Sequence, residues 1–590
     1  MLPSDRPPRS AETPAGDPPI SRFKPLPLAA SEHRAATPAP LAIPSVLTPP
    51  VPTAPLADSL DDPTFGEGTA RISADPEVCG DGLVMTAAGL RGAAPVDVAP
   101  DHARALPAAD RATAQPGQPG QPASPGRVHM VVYGCQMNKA DGELIGGLLA
   151  QRGWAFTPTP ENADVILFET CSVRKQSEDR VFSALGNLKP WKQRNPAAVI
   201  GVLGCMAQKE GRAILARNPH VDLVVGTARL QDVPDLIEEI REGAPPLLAT
   251  ETGLGREADF TSVIPHRENR FQAWLPITRG CNKRCTYCVV PYTRGPESSL
   301  PMELIVEQVK RLVGDGVREI TLLGQTIDTY GADLDDPRQN LANLLVKLDA
   351  IPDLWRIRFI TSYPAKLSED VFRAIADCQH VCEYAHMPVQ SGSDRMLRRM
   401  KRGYQIATYR ETVAAALKHV PHLTLATDVI VGFCGETEED FQATRRLLEE
   451  IRFHTTYVFK YSPREGTPAM KLPDDVPQAV KEARNQELLT IQRAIVKEKQ
   501  AAMRGTVQEV LVEGRDERNP ALWLGRTRGN RTLAFSAGPL ASPAAATSPA
   551  LADGAKIPAT AELTGCLASV KIHRSAAHLH SAELAGIVKR

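Results

Sequence analysis

Three cysteines stand close together in the stretch TRGCNKRCTYCVVPYTRGPE, which covers residues 278–297: Cys281, Cys285 and Cys288. A structural zinc site takes four ligands, often as two CxxC-like pairs, and disulfides use cysteines in even numbers. Neither Asn282 nor Tyr292 supplies a fourth zinc ligand here. A cubane iron–sulfur cluster needs one external ligand for each of its four irons, so three thiolates hold it and leave one iron open to a small molecule.

Three further cysteines share a local pattern, namely Cys135, Cys171 and Cys205. Each follows a β-rich run by one or two residues, beside Gly or Thr, and precedes a helical pattern. Because parallel strands end along one edge of a sheet, cysteines that are 36 and then 34 residues apart can still meet there. A single cysteine of this kind is more often a small buried hydrophobe. The repeated position instead predicts a second three-cysteine site.

Composition limits the class of protein. The chain has 590 residues, a formal net charge of −1 and 11 cysteines. The charge argues against a uniformly basic nucleic-acid binder, although it can hide local basic patches. Cysteines this sparse do not make a secreted disulfide scaffold, and the CxxxCxxC spacing favours metal chemistry in a reducing compartment. No run approaches the roughly 18 apolar residues of a membrane-spanning helix, and no signal-peptide core is present. We expect a soluble cytoplasmic protein without a membrane segment.

The chain divides by composition. Residues 1–126 are rich in Pro, Ala and Gly and are predicted to be disordered, with Cys79 inside them having no role. Residues 127–262 repeat a strand–helix unit, first as a strand over 128–133 and a helix over 139–151, and predict a doubly wound α/β domain. Its three cysteines lie at the strands' carboxyl ends.

Residues 263–500 repeat the strand–helix pattern six times and predict a partial (β/α)6 barrel. The predicted strands are 273–278, 318–323, 356–360, 382–387, 424–431 and 456–461. Chemistry in such a barrel lies at the carboxyl ends of the strands. Cys281, Gly324 with Gln325, Thr361 with Ser362, and residues 388–391 all follow strands there.

Residues 501–573 read as a small antiparallel β-barrel, interrupted by a surface loop over 539–555 and followed by a tail over 574–590. Three of its arginines lie on adjacent strands or their turn: Arg526, Arg528 and Arg531. Small barrels of this type commonly hold single-stranded or looped RNA, which makes these arginines candidate RNA contacts. Equally, they could simply decorate a solvated edge.

The order CxxxCxxC, with Tyr287 before the last cysteine and a barrel strand before the first, resembles the radical S-adenosylmethionine (SAM) superfamily. The resemblance implies that the open iron binds the amino and carboxylate groups of SAM. It also implies that the reduced cluster breaks the sulfonium bond and releases a 5′-deoxyadenosyl radical.

Over residues 127–573 the sequence resembles one family within this superfamily more specifically. The segments YGCQMNKAD, FETCSVRKQSEDRVF, VLGCMAQ, GCNKRCTYCVVPYTRGPE and HMPVQSGSDRMLRRMKRGY look like those of the tRNA methylthiotransferases. In that family the small barrel is called the TRAM domain, and the reaction adds a methylthio group to C2 of N6-isopentenyladenosine beside the anticodon. An adenosyl radical suits this reaction, because the C2–H bond is neither acidic nor activated.

The family resemblance assigns roles to individual residues. It implies that Cys281, Cys285 and Cys288 hold the SAM cluster, and that Cys135, Cys171 and Cys205 hold an auxiliary 4Fe–4S cluster. Gly324 and Gln325 are expected to lie against SAM, of which two molecules are used per turnover. The sequence departs from the family at three nearby positions, where Asn, His and Pro are common: Thr326, Tyr363 and Cys434.

Weaker candidates remain. His386, Gln390 and Ser391 follow a strand and either face ligand or belong to a structural hydrogen-bond network. A second group could meet SAM carboxylate or tRNA phosphate, or be solvated or helix-capping charge: Arg279, Arg294 and Arg464. Cys378 and Cys382 have metal-like spacing but no third partner in the sequence, which favours buried packing.

Three alternative functions stay open. Enzymes that methylthiolate an aspartate of a ribosomal protein share both cysteine sets, and a second tRNA class acts on threonylcarbamoyladenosine. The local sequences around the cysteines favour the isopentenyl substrate. A non-catalytic iron–sulfur RNA-binding protein is the third alternative. The resemblance implies as partners a tRNA anticodon stem-loop and an electron donor such as flavodoxin or ferredoxin, with the chain acting as a monomer.

Overall fold

The structure is a computed structural model that describes residues 125–172, 175–251, 263–267, 269–537, 550–551, 562–575 and 580–589. The disorder predicted for residues 1–126 lies outside these ranges except for residues 125 and 126, and Cys79 lies outside them entirely. Most of the predicted loop over 539–555 does so too. Within the described ranges, none of the helices combines the length and apolar character needed to cross a membrane.

The N-terminal domain is built on six parallel strands in the order β2-β1-β3-β4-β5-β6. The strands are β1 (Arg127–Tyr133), β2 (Ala155–Phe156), β3 (Val165–Thr170), β4 (Val199–Gly204), β5 (Leu223–Val225) and β6 (Leu247–Ala249). The helices are α1 (Gln136–Gln151), α2 (Lys175–Arg194), α3 (Cys205–Arg217) and α4 (Val233–Arg241). One apolar cluster joins α1 and α4 to the sheet, and another joins α2 and α3 to it. Helices therefore cover both faces, which confirms the doubly wound prediction.

The sequence explains these elements directly. Every residue of β3 and β4 is buried, as expected for parallel strands that are covered on both faces. α1 begins three residues before its predicted start because Cys135 and Asn138 form a capping box at its N-terminus. The strand order reverses between β1 and β3, and ligand crevices of doubly wound sheets open at such a switch point. Cys135 and Cys171 follow the two strands that flank it.

The second domain consists of a partial barrel of six parallel strands and a short antiparallel pair, which makes eight strands in all among its described residues. Its strands are β7 (Gln272–Pro276), β8 (Thr278–Arg279), β9 (Ser298–Ser299), β10 (Glu319–Leu323), β11 (Arg356–Phe359), β12 (Tyr384–His386), β13 (Thr424–Val431) and β14 (Thr455–Lys460). The barrel proper comprises β7, β10 and β11 in one sheet and β12, β13 and β14 in the next, while β8 and β9 form a short antiparallel pair. An isolated parallel bridge between Ile357 and Val381 joins the two sheets. The predicted fold class is confirmed, although β12 is shorter than its predicted range.

Eight helices belong to this part of the described chain: α5 (Val290–Arg294), α6 (Met302–Gly314), α7 (Leu341–Asp349), α8 (Glu369–Asp377), α9 (Asp394–Arg399), α10 (Ile406–His419), α11 (Glu438–Ile451) and α12 (Gln478–Ala502). One apolar cluster runs from β7 through α6, α7, α8, α10 and α11 to α12. This shared core fixes the strand ends on which the candidate site depends.

The last domain is a closed barrel of five strands with a sixth short strand at its side. The strands are β15 (Val507–Arg515), β16 (Trp523–Thr527), β17 (Thr532–Ser536), β18 (Ala550–Leu551), β19 (Leu567–Ser575) and β20 (His580–Lys589). β20 pairs with β19 and, in parallel, with β17, which closes the barrel. The tail expected over 574–590 is therefore wrong, since β20 lies in it. Its apolar signal is weak because the buried Ala582 is small and Gly586 interrupts the alternation.

The turn between β16 and β17 packs against the amino-terminal ends of the larger barrel's strands. Arg358 donates to the backbone oxygens of Thr527 and Arg528, both at 2.7 Å. A Cβ on Gly529 would lie 2.5 Å from Thr424 Oγ1, so this turn needs glycine for its close approach. The small barrel thus closes the end of the larger barrel that lies away from the strands' carboxyl termini.

The candidate RNA-binding arginines lie at or near this packing surface. Arg526 is buried and donates to Glu513 at 2.6 Å, while Arg528 donates to Glu383 at 2.7 Å. Arg531 donates to Met503 Sδ at 2.6 Å, and burial lowers its pKa. These side chains are used in contacts within the protein. The expectation that Arg526 and Arg528 offer free cations to RNA is therefore wrong, and so is the alternative that they lie on a solvated edge.

Glu319 is the buried anion beneath this packing, and its Oε2 lies 3.0 Å from Arg358 Nε. Glu319→Gln leaves that guanidinium without its charge partner. We expect a loss of about 3–5 kcal/mol, measured as a lower urea midpoint of the metal-free protein by circular dichroism. Glu303→Gln is the control, because Glu303 and Lys347 form an exposed pair that contributes less than about 1 kcal/mol. Equal midpoints for the two variants would contradict the prediction.

Candidate active site

The first cysteine set gathers at the carboxyl edge of the N-terminal sheet. Cys135 is the N-cap of α1, Cys171 follows β3, and Cys205 is the first residue of α3. The side chains of Cys135 and Cys171 are hydrogen-bonded to each other. Cys205 lies close enough to Cys135 for the charge of one thiolate to raise the pKa of the other. The structure therefore brings together the three cysteines that the repeated strand–helix pattern predicted.

Glycines make this approach possible. A Cβ on Gly134 would lie 2.9 Å from Cys171 Cβ. Gly204 has φ +89°, and a Cβ there would lie 2.2 Å from Glu169 Oε1. Only glycine fits either position without moving the neighbouring strand end.

Asn138 ties the first cysteine to the next strand. Its Oδ1 accepts from the backbone nitrogen of Cys135 at 3.2 Å and from Cys135 Sγ at 3.3 Å. Its Nδ2 donates to Glu169 Oε1 at 2.9 Å and to the Thr170 backbone oxygen at 3.0 Å. Asn138 and Glu169 are both fully buried, so these hydrogen bonds fix the position of the turn that carries Cys135 relative to the end of β3.

A second polar contact joins this site to the barrel. Asp141 of α1 is fully buried and accepts from Arg279 at 2.8 Å through Oδ1 and from Arg294 at 2.9 Å through Oδ2. Arg279 stands two residues before Cys281, and Arg294 ends α5, which follows Cys288. We call this group, Asp141 with Arg279 and Arg294, the interdomain clamp. It links the helix that begins at the first cysteine set to the loop that carries the second.

The thiols of the first set differ in acidity. The hydrogen bond from Cys171, together with the charge of Arg294, lowers the pKa of Cys135 to about 6 in spite of its desolvation. Burial raises the pKa of Cys205 to about 11, against the opposing charge of Arg294. Burial and the neighbouring Asp141 likewise hold the pKa of Glu169 well above its usual range. Arg294 is thus the positive charge that favours thiolates at this site.

The second set occupies the loop between β8 and α5. Cys281 and Cys285 are buried, and Cys288 is half-buried. Cys281 Sγ lies 3.2 Å from Thr326 Oγ1, and Arg402 Nη1 lies 3.6 Å from Cys285 Sγ. Burial raises the pKa of Cys281, and it raises that of Cys288 to about 12. Thr326 therefore contacts a predicted cluster ligand although it departs from the family pattern.

Polar side chains without partners surround this loop. Among the described residues, four buried oxygens at the ends of adjacent barrel strands have no hydrogen-bond partner: Thr278 Oγ1, Gln325 Oε1, Asp328 Oδ2 and Ser362 Oγ. Burial raises the pKa of Asp328 to about 7, although its Oδ1 accepts from the Tyr363 nitrogen at 2.5 Å. Gly324 lies beside Thr278, where a Cβ would be 2.4 Å from Thr278 Cγ2. A polar ligand at these strand ends would satisfy such atoms.

The donor sets have the chemistry that iron–sulfur clusters need, since their ligands are thiols. No group of three or more His, Cys, Asp or Glu side chains in the described part of the chain is arranged to hold one metal ion. In a cubane each thiolate binds a different iron, so its ligands stand around a larger group. Two sets of three cysteines, each with a buried arginine nearby, fit two such clusters with one open iron apiece.

The other predicted residues divide between the interface and the scaffold. Arg464 faces Glu178 at 3.5 Å across the two domains, and His386 Nε2 lies 3.2 Å from Asp428 Oδ1. Ser391 joins a buried network with Thr444, and the backbone of Gln390 bridges to β13. These contacts support the structural interpretation of Gln390 and Ser391.

Three cysteines outside the two sets serve packing, namely Cys378, Cys382 and Cys434. Cys382 is buried and its nitrogen donates to the Ile357 oxygen, while Cys378 is half-buried after α8. Cys434 is fully buried beside Met400 and Phe433.

Sequence reasoning missed three residues of the site: Asn138, Asp141 and Arg402. Asn138 and Asp141 are polar residues in the first turns of α1. A polar side chain that a helix buries needs a hydrogen-bond partner, so both residues could have been expected to have one. Arg402 carries no comparable signal, since it is one of several basic residues in RRMKRGY.

Comparisons with known proteins follow the same division of the chain. Residues 127–226 match a family described as uncharacterized protein family UPF0004, and residues 275–448 match the radical SAM superfamily. A tRNA-2-methylthio-N(6)-dimethylallyladenosine synthase of Dictyoglomus thermophilum is 43% identical over 411 residues, which cover 70% of this chain and 92% of that protein. The synthase of Pelotomaculum thermopropionicum is 42% identical, covering 75% of this chain and 97% of the relative.

The chain belongs to this synthase family. Among solved structures, the radical SAM methyltransferase TsrM from Kitasatospora setae matches with a TM-score of 0.42 and 13% identity, covering 56% of this chain and 72% of that one. That likeness is too weak to support any statement about the site. The two family matches, over residues 127–226 and 275–448, contain all six cysteines of the two sets.

The low pKa of Cys135 predicts selective alkylation of the metal-free, reduced protein. Because the thiolate is the nucleophile and exists above the thiol pKa, iodoacetamide labelling of Cys135 should rise through about pH 6 and level off by about pH 8. Peptide mass spectrometry measures the rate at each cysteine. Cys378 is the control, since it is half-buried and its pKa is raised to about 11. Labelling of Cys135 no faster than that of Cys378 at pH 7 would contradict the prediction.

The interdomain clamp predicts a local effect of Asp141→Asn. Loss of a buried charge partner costs about 3–5 kcal/mol, and each 1.4 kcal/mol is tenfold in an equilibrium. Hydrogen–deuterium exchange should therefore rise at least tenfold in peptides from both α1 and α5. Asp336→Asn is the matched control, because Asp336 pairs with Arg338 on the surface. Unchanged exchange in both helices of the Asp141 variant would show that the clamp does not hold the domains.

Proposed function

We propose that this chain replaces the C2 hydrogen of N6-isopentenyladenosine, next to the tRNA anticodon, with a methylthio group, using two 4Fe–4S clusters and SAM. The observation that carries this proposal is the pair of three-cysteine sets, each at the carboxyl ends of parallel strands and joined by the interdomain clamp. The named relatives, 42–43% identical, support the choice of substrate.

Cys281, Cys285 and Cys288 hold the cluster that binds SAM. When bound, this cluster supplies the electron that cleaves the sulfonium bond of SAM. Gly324 packs closely against Thr278, and Gln325 Oε1 and Ser362 Oγ offer that ligand buried polar atoms without other partners. Burial of the loop keeps water from a reactive carbon radical.

Cys135, Cys171 and Cys205 hold the auxiliary cluster, which carries the sulfur that is transferred. Asn138 holds the backbone of Cys135, and Arg294 balances the negative charge of the thiolates. The clamp orients this set toward the barrel, so that one substrate base can meet both sets. A misplacement of about 1 Å would cost about 10²-fold in such a reaction, which explains why a buried carboxylate is kept here.

The partners follow from the same chemistry. The substrate is a tRNA anticodon stem-loop, and a flavodoxin or ferredoxin supplies electrons. The chain acts as a monomer in the cytoplasm.

The test is mass spectrometry of nucleosides from isopentenylated tRNA, incubated anaerobically with reconstituted protein, SAM and reductant. We expect about eight irons per chain and a methylthio group on that adenosine. A variant with Ser at residues 135, 171 and 205 should keep about four irons and release 5′-deoxyadenosine without the modified nucleoside. A variant with Ser at 281, 285 and 288 should also keep about four irons, those of the auxiliary cluster, but should release no 5′-deoxyadenosine and form no modified nucleoside.

Cys378→Ser is the control for loss of a cysteine outside both sets, and it should match the wild type. If 5′-deoxyadenosine accumulated while the adenosine stayed unmodified, the isopentenyl substrate would be wrong. Threonylcarbamoyl tRNA and the ribosomal protein would then be assayed in the same mixture. If the wild-type protein bound no iron and did not cleave SAM, the proposal that it is an enzyme would be wrong.

A further inference from the structure

Arg402 is a buried arginine that contacts the second cysteine set. It lies just beyond α9 and is 6% exposed. Its Nη1 lies 3.6 Å from Cys285 Sγ, and its Nη2 donates to the Pro388 oxygen at 2.8 Å. The guanidinium therefore spans from a strand end of the barrel to a proposed cluster ligand.

Two tyrosine rings hold the guanidinium in place. Its carbon lies 4.6 Å from the centroid of the Tyr363 ring and 5.4 Å from that of Tyr404. Both distances are within the range in which a cation is attracted to an aromatic ring. Tyr363 offers a neutral ring face, which favours a neighbouring cation.

The charge of Arg402 lacks a carboxylate partner. Within the part of the chain that the structure describes, Arg402 is in none of the ion pairs. Burial of a charge is costly unless an opposite charge offsets it. Cys285 Sγ lies 3.6 Å from Arg402 Nη1, so a thiolate at Cys285 is placed to be its counter-charge.

Backbone contacts keep this geometry. The nitrogen of Thr286 donates to the Met400 oxygen at 3.0 Å, and Thr286 Oγ1 donates to the Arg399 oxygen at 3.0 Å. Thr286, the residue after Cys285, therefore makes two hydrogen bonds to the segment that leads into Arg402. The loop and the arginine move as one unit.

We propose that Arg402 is the built-in counter-charge of the Cys281, Cys285 and Cys288 set, and that it favours the reduced state of the cluster held there. This inference rests on the proposed function, in which these cysteines hold a cluster. A reduced cluster carries one more negative charge than an oxidised one, and hydrogen bonds and charges at the cysteine sulfurs set its reduction potential. Arg402 acts through Cys285 and is thus a positioning residue.

The experiment measures the reduction potential of this cluster alone. The full chain carries Ser at residues 135, 171 and 205, so that one cluster remains, and the variants Arg402→Gln, Arg402→Lys and Tyr363→Phe are added to it. Mediated redox titration by electron paramagnetic resonance gives each midpoint. Arg402→Gln should lower the equilibrium constant for reduction at least tenfold, which is 59 mV for one electron. Arg402→Lys keeps the charge and should stay within threefold of the parent, and Tyr363→Phe keeps the ring face and should match it.

A role in packing alone gives a different result. Arg402→Gln would then lower the melting temperature while the midpoint stayed within twofold of the parent, and the inference would be overturned. If Arg402→Gln failed to retain iron, Arg402→Lys would decide: a parental midpoint supports the counter-charge, and a tenfold loss with the charge retained overturns it. If the parent itself held no cluster, the proposed function would fail, which the iron content of the parent shows separately.

Discussion

The burial of one carboxylate between two domains constrains the site more than any other contact. Asp141 is fully buried, so its charge is tolerable only while Arg279 and Arg294 both face it. Those arginines flank the cysteine loop of the barrel, whereas Asp141 stands on the helix that begins at Cys135. The need to neutralise this one buried carboxylate therefore fixes the relative position of two cysteine sets that are far apart in the sequence.

The same clamp also supplies charge to the site. Arg294 bonds to Asp141 and at the same time favours the thiolates of Cys135 and Cys205. Arg402 has the corresponding place beside Cys285 in the second set. Each set of three cysteines thus has one buried arginine. Three thiolates concentrate negative charge in a low-dielectric place, and a fixed guanidinium offsets it without the reorganisation that water would need.

Local sequence was enough to predict the strands, the cysteine sets and their place at the strand ends. Apolar runs followed by helical periodicity report parallel strands directly, as in β3 and β4. The partners of Asp141 and Arg402 could not be predicted, because they lie 138 and 117 residues away along the chain. β20 was missed because small residues weaken its alternation, and only its pairing with β19 and β17 defines it.

The arginines of the small barrel show how the larger barrel is closed. Arg526 and Arg528 were plausible RNA contacts by composition, yet Glu513 and Glu383 neutralise them at the packing surface. Their turn meets residues at the amino-terminal ends of the barrel strands, such as Arg356 and Thr424. Both cysteine sets lie at the carboxyl ends of their strands. The small barrel therefore closes the end of the larger barrel opposite the Cys281, Cys285 and Cys288 set.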